Sequence, residues 1–213
     1  MSFLLVLSAP SGGGKTTLAK ALLAARPDTA YSVSATTREP RPGETHGKEY
    51  YFLTRLEFER RVQGGEFLEW AEYAGNLYGT LRSEIDRIFA AGKRAVLDIE
   101  VQGARQVRKS FADAVHVFVL PPSVTVLLER LQGRGAMAQD VKQTRLRTGV
   151  EELGAVGEYD YVVINDQLDR AVTQVAALLD AEGLRPRREG LAEMVFAMRR
   201  DLARVAGTAL VTD

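Results

Sequence analysis

The feature that most constrains this chain is a glycine-rich turn set between two apolar segments. "FLLVL" (Phe3–Leu7) runs into "SAPSGGGKTT" and then into "LAKALLAA". A continuous apolar run suits a strand buried on both faces, and the segment after the turn has helical spacing. A strand that passes into a helix through a glycine turn aims backbone N–H groups and the positive end of the helix dipole at one point. An anion belongs there. The pattern for a nucleotide-phosphate cradle, G-x-x-x-x-G-K-[ST], is met except at its first position, where the chain has Ala9. Gly12, Gly13 and Gly14, the positions nearest the phosphates, are all glycine. In such a cradle Lys15 reaches the outer phosphates and the Thr16 hydroxyl ligates Mg²⁺, with Pro10, Ser11 and Thr17 completing the loop. A plain glycine turn with a surface lysine is the weaker reading, because a strand and a helix flank the motif.

Further strand-like runs, "RAVLDI" (Arg94–Ile99), "AVHVFVL" (Ala114–Leu120) and "YDYVVIN" (Tyr159–Asn165), alternate with helical segments. The order predicts an α/β fold, with a parallel sheet covered by helices on both faces and ligands gathered at the carboxyl ends of the strands. Asp98 ends an apolar strand, the form of a carboxylate that holds Mg²⁺ or its waters; a helix N-cap is the alternative. A Mg²⁺-nucleoside triphosphate is the cofactor implied.

Composition narrows the chemistry. The 213 residues include no cysteine and two histidines, His46 and His116, so disulfides, thiolate catalysis and a histidine-rich metal site are excluded. A net charge of zero gives no footprint of a nucleic-acid binder, and the first apolar stretch is too short to span a bilayer. The expected address is the cytoplasm.

Between residues 31 and 80 the pattern changes to Tyr, Thr, Gly and turn residues, predicting an inserted lobe of short, partly antiparallel strands. Its one helix, in "TRLEFERRVQ", begins with Thr54 and Glu57 at capping-box spacing. Arg38 and Arg41 suit a dianionic phosphate, with the hydroxyls of Tyr50 and Tyr78 as neutral donors, although two loop arginines are commonly just solvated. Ser34 and Glu69 are polar groups that could read a base. A basic stretch, "GRGAMAQDVKQTRLRTG", reads equally as a flap or as rigid structure, and a terminal helix with one apolar face follows Gly183.

With "S-x-T-T-R-x-P-R-x-G-E", "G-K-x-Y-x-F", "E-F-x-E-W-A", "G-N-x-Y-G-T" and "L-D-I-E-x-Q-G" in order, the chain from Phe3 to about Leu184 resembles the guanylate kinases. The resemblance implies a P-loop three-layer α/β/α core (residues 1–30, 81–132 and 156–213), a GMP-binding lobe (31–80) and a helical lid (133–155). It implies phosphoryl transfer from MgATP to GMP or dGMP. Ser34, Glu69, Thr80 and Glu100 would surround the guanine, and Arg38, Arg41, Tyr50 and Tyr78 would hold the GMP phosphate near Asp98. Thr80 and Glu100 stand where the family commonly has Ser and Asp. Lys15 with the lid arginines Arg130, Arg134 and Arg145 would steady the transferring group, whereas Arg147 reads as exposed surface. Asn165 resembles the position lying against the ATP adenine; a helix N-cap, by Asn165 or Asp166, is the other reading. The partners expected are GMP and ATP, with a homodimer possible and neither nucleic acid nor membrane. A phosphopeptide-binding module and a related small-molecule kinase are the competing classes; the intact glycine loop opposes the first, and Ser34 with Glu69 opposes the second.

Overall fold

A computed structural model of the chain describes residues 2–73, 75–132, 139–185 and 191–208. The elements are β1 (Leu4–Ser8), α1 (Lys15–Ala25), β2 (Thr29–Tyr31), β3 (Ala35–Thr36), β4 (Tyr51–Phe52), α2 (Arg55–Gln63), β5 (Phe67–Tyr73), β6 (Asn76–Leu81) and α3 (Arg82–Ala90). They continue as β7 (Arg94–Asp98), α4 (Val101–Ser110), β8 (Val115–Leu120), α5 (Val124–Gln132), α6 (Gln139–Gly154), β9 (Tyr161–Ile164), α7 (Leu168–Gly183) and α8 (Leu191–Ala206).

The larger sheet has the order β2-β7-β1-β8-β9, with every pairing parallel. Successive side chains of a strand point to opposite faces, so β1 feeds two cores at once. Phe3, Leu5 and Leu7 pack with Leu18, Ala19 and Leu22 of α1 and with Val175 and Leu179 of α7. Leu4 and Val6 face the other way, against Ile85 and Ile88 of α3 and Ala104 and Val107 of α4. These two cores make the three layers. The chain crosses to opposite sides of β1 for β7 and β8, so the strand order reverses at β1, and the glycine loop leaves β1 at that switch point.

A second sheet, β4-β3-β6-β5, is antiparallel except for its β3–β4 pair. Its core joins Ala35, Leu77 and Leu81 to a stacked ring pair, Phe58 on Phe67, with centroids 4.3 Å apart. Thr54 caps α2 by accepting from the Glu57 N–H at 3.2 Å. The lobe is fastened to the core by α4: the Gln106 side chain accepts from the Trp70 N–H and donates to the Trp70 carbonyl, at 3.1 and 2.7 Å. Tyr31 pairs with Val96 of β7, within the larger sheet. Among the described residues no helix is long and apolar enough to cross a membrane.

Candidate active site

The turn from β1 into α1 closes on a Gly13 N–H to Pro10 carbonyl hydrogen bond of 2.7 Å. Gly12 and Gly14 have φ near +90°, where a side chain would be strained. Gly13 is needed for space: a Cβ there would lie 2.8 Å from the Ala9 Cβ and 2.9 Å from the Pro10 carbonyl oxygen. Ala9 is itself 2 % exposed and belongs to the core. Its methyl therefore fits because Gly13 has none. No side chain caps the start of α1 and no acidic residue sits in its first turn, so the first N–H groups of the helix are left for a ligand.

One cavity of about 510 Å³ opens on this loop. It brings together Lys15, Thr16, Asp98 and Glu100 with Ser34, Arg41, Tyr50, Glu69 and Tyr78 from the second sheet and its loops, and Arg145 from α6. Residues far apart in the chain thus share one space.

Lys15 is the first residue of α1, and its ammonium lies 3.1 Å from both Asp98 and Glu100. Burial disfavours its charge, but the two carboxylates outweigh that and raise its pKa. Thr16 shares the cavity with Asp98. Among the described residues no three acidic or histidine side chains are placed to hold a metal ion by themselves. A cation between Thr16 and Asp98 would therefore take its other ligands from phosphate oxygens and water, the coordination that suits Mg²⁺. The donor set fits that ion.

Glu69 owes its position to β5. A register shift between Phe67 and Glu69 marks an irregularity in the pairing with β6, and the Glu69 side chain turns inward while Trp70 points outward. Its carboxyl group accepts from the Thr80 hydroxyl at 2.7 Å. Burial raises its pKa, partly offset by the Thr80 hydroxyl. Room for the other oxygen comes from Gly103 on α4: a Cβ there would lie 2.6 Å from Glu69 Oε2. Gly103 is part of the motif "L-D-I-E-x-Q-G", but spacing alone does not reveal that its missing side chain makes a pocket for a carboxylate.

Of the expected phosphate clamp, Arg41, Tyr50 and Tyr78 line the cavity, and the two tyrosine rings meet edge to face at 6.2 Å. The Arg38 guanidinium donates to both oxygens of Glu44 at 2.9 Å and lies over the Tyr50 ring. The loop carrying Ser34 is anchored by Glu84, which accepts from the Val33 N–H and the Tyr51 hydroxyl. Tyr31, Tyr73 and Ile99 also line the cavity; as single apolar or aromatic residues they carried no chemical pattern in the sequence.

The basic residues divide. Arg145 lines the cavity, and its buried Nε has no hydrogen-bond partner. Arg130 approaches the loop from behind, donating to the carbonyls of Gly13 and Asn165 at 3.3 and 2.9 Å. Arg134 lies outside the described residues. Arg147 is exposed. Thr17 is exposed on α1. Helix capping, one of the two readings of Asn165, is not what its side chain does: Gln167 is the N-cap residue of α7, and the buried Asn165 amide donates to the Gly13 carbonyl. The helix-cap reading of Asp98 fails as well, since Glu100 precedes α4 and Asp98 pairs with Lys15. His116 is buried in β8 and its pKa is pushed down to about 4 by that burial, so it is neutral.

A family model described as "Guanylate kinase" matches residues 1–182. A guanylate kinase of Desulfitobacterium hafniense is 47 % identical over 186 residues, covering 87 % of this chain and 93 % of that protein. One from Rubrobacter xylanophilus is 50 % identical over 176 residues, covering 83 % and 92 %. Among solved structures, the guanylate kinase from Anaplasma phagocytophilum superposes with a TM-score of 0.72 at 33 % identity, covering 92 % of this chain and 94 % of that one. The family match takes in the strands of both sheets, and the chain belongs to the guanylate kinase family.

Proposed function

We propose that this protein transfers the γ-phosphoryl group of ATP to the phosphate of GMP, giving ADP and GDP. The observation that carries the reading is that one cavity opens on both the phosphate loop with Lys15 and the buried carboxyl group of Glu69. Guanine presents N1–H and N2–H₂ side by side, a donor pair that one carboxylate accepts in parallel, whereas adenine places an acceptor at N1 and meets it with repulsion. Glu69 reads this edge with Ser34, Thr80 and Glu100 around it. Arg41, Tyr50 and Tyr78 hold the GMP phosphate, and Arg38 joins them by exchanging Glu44 for the substrate.

At the other end the loop from Ala9 to Gly14 and the N–H groups of Lys15, Thr16 and Thr17 receive the ATP phosphates, with Asn165 bracing the loop from behind. Thr16 and Asp98 would hold Mg²⁺, which would supply positive charge against the phosphate oxygens. Charge on the transferring group is met by Lys15, with Arg130 from the end of α5 and Arg134 and Arg145 from the lid. The attacking oxygen of GMP is already ionised, so in-line transfer requires no nucleophilic side chain and no general base. A core (1–30, 81–132, 156–213), a GMP lobe (31–80) and a lid (133–155) divide the labour, the lid excluding water during transfer. The cytoplasm is the compartment proposed on the same family grounds.

Rates with GMP, dGMP, AMP and UMP at fixed MgATP test the reading. GMP is expected to exceed AMP and UMP by about 10⁴-fold in kcat/KM, the discrimination available when a wrong base leaves buried polar groups unpaired. Turnover of dGMP is expected too, because no residue above is assigned to the 2′-hydroxyl. Equal use of AMP would sink the proposal.

A homodimer is proposed through α8, which lies beyond the family match. Met194, Met198, Leu202 and Val205 follow one another at helical spacing and are more than half exposed. Antiparallel self-pairing about Met198 sets Met194 against Leu202 and brings Glu193 near Arg204 of the other copy. Light scattering of the full chain should give twice the monomer mass, falling to the monomer in Met198→Asp; a monomeric wild type refutes it.

A further inference from the structure

Glu152 lies near the end of α6, in no recognisable motif. It is only 6 % exposed, yet it is acidic and faces the phosphate loop. Its Oε2 lies 3.2 Å from the Ser11 nitrogen. Ser11 stands at the crest of the turn that the Gly13 N–H to Pro10 carbonyl bond closes. That bond does not use the Ser11 N–H, which is satisfied by Glu152, a residue 141 positions away. The other contact of Glu152 is with Glu100, which precedes α4 and reaches Lys15.

We propose that Glu152 is a positioning residue for phosphoryl transfer, accepting from the Ser11 N–H and donating to Glu100, so that the lid helix braces the crest of the phosphate loop and the carboxylate beside Lys15. Two carboxyl groups in hydrogen-bond contact are stable only when one carries a proton. The Lys15 ammonium lies 3.1 Å from Glu100. Glu152 is the one that is protonated: burial first, and Glu100 second, push its pKa up to about 8. The groups facing it are Glu100 ahead of α4 and Lys15 of α1, with Asp98 of β7 behind the lysine. Tyr159, following the turn after α6, lies near the same Lys15 and Glu100.

The inference rests on the ATP half of the proposed function, and its test separates the two. Wild-type protein is first assayed for GMP phosphorylation, which judges that function by itself. ADP affinity, measured by calorimetry without GMP, then judges the brace. Glu152→Ala leaves the Ser11 N–H without its buried partner and is expected to weaken ADP binding and kcat/KM for ATP by roughly 10- to 100-fold, the usual cost of such a loss. Glu152→Gln is isosteric: its carbonyl oxygen accepts from Ser11 and its NH₂ donates to Glu100, so it should stay within about threefold of wild type.

The pH profile gives the readout that a merely structural role would not move. Below pH 8 wild type and Glu152→Gln should run together. Above it the wild-type carboxyl ionises against Glu100 and its kcat/KM for ATP should fall, whereas the glutamine variant should not share that fall. Wild-type ADP affinity in the alanine variant, a glutamine variant as damaged as the alanine one, or identical profiles above pH 8 would each overturn the proposal. Should the alanine variant fail to fold, the glutamine variant and its pH profile still decide.

Discussion

Lys15→Ala is expected to reduce GDP formation by about 10³-fold or more while leaving the chain folded. Removing one preorganised donor from a developing charge typically costs 10²- to 10³-fold in rate. Here the loss is larger, because the ammonium lies 3.1 Å from Asp98 and Glu100, which would then face an incoming triphosphate uncompensated. The defect should appear in kcat as well as in ATP affinity, and raised Mg²⁺ should recover only part of it. Lys15→Met keeps the aliphatic stem and removes the charge alone, so it should behave the same way. The lysine pKa is raised in the fold, so its contribution is present at all pH values below its ordinary 10.5 and is lost only as pH climbs through the higher folded value. Loss of activity in the variants should therefore be the same from pH 6 to 7.5, below the pH at which Glu152 ionises in wild type. Single-turnover measurement of labelled GDP is the test, and near-normal turnover would remove Lys15 from the mechanism.

Why parts of this architecture are legible in the sequence and others are not follows from how far each feature reaches along the chain. Strands β1, β7, β8 and β9 announce themselves as apolar runs, the first three because burial on both faces demands them, and β9, at the edge of the sheet, although Val162 and Ile164 are exposed. β2 does not, since its three residues, Thr29–Tyr31, become a strand only by pairing with β7. The glycine loop is legible because its chemistry is local: positive φ at Gly12 and Gly14 and a missing Cβ at Gly13 are written in adjacent letters. Arg38 shows the limit of such reading. Its neighbours suggested a phosphate ligand, but the structure also gives it Glu44, a tether that any ligand must displace. The contributions of Gly103 and Glu152 lie farther out of reach. One is the space that an absent side chain leaves for Glu69, the other a bond to Ser11 from α6, and neither has a pattern at any fixed spacing. The sequence leaves Asn165 two roles, and the hydrogen bond its amide donates to the Gly13 carbonyl excludes the helix cap.

Glu69→Gln should cost GMP phosphorylation about 10²- to 10³-fold in kcat/KM and leave ATP binding as it is. The amide would set an NH₂ donor against one of the two guanine donors, exchanging a charge-assisted bond for an unpaired buried group, a change of about 3–4 kcal/mol. Glu69 also makes GMP affinity depend on pH in a definite direction. Its pKa is raised by burial in the free protein, and guanine donors favour the ionised form, so wild-type affinity should weaken as pH falls through the acid range and the glutamine variant should lose that dependence. A second substitution separates the carboxylate's position from its charge. Gly103→Ala would place a methyl 2.6 Å from Glu69 Oε2, and the flexible end of the glutamate, rather than the helix, is what can yield. Alanine is favoured over glycine within a helix by up to ~1 kcal/mol, so the variant should melt no lower than wild type and yet use GMP poorly. Intact stability with lost GMP affinity and unchanged ADP affinity is the signature of a displaced reader. Unaltered preference for GMP over AMP in both variants would mean that the base is read elsewhere.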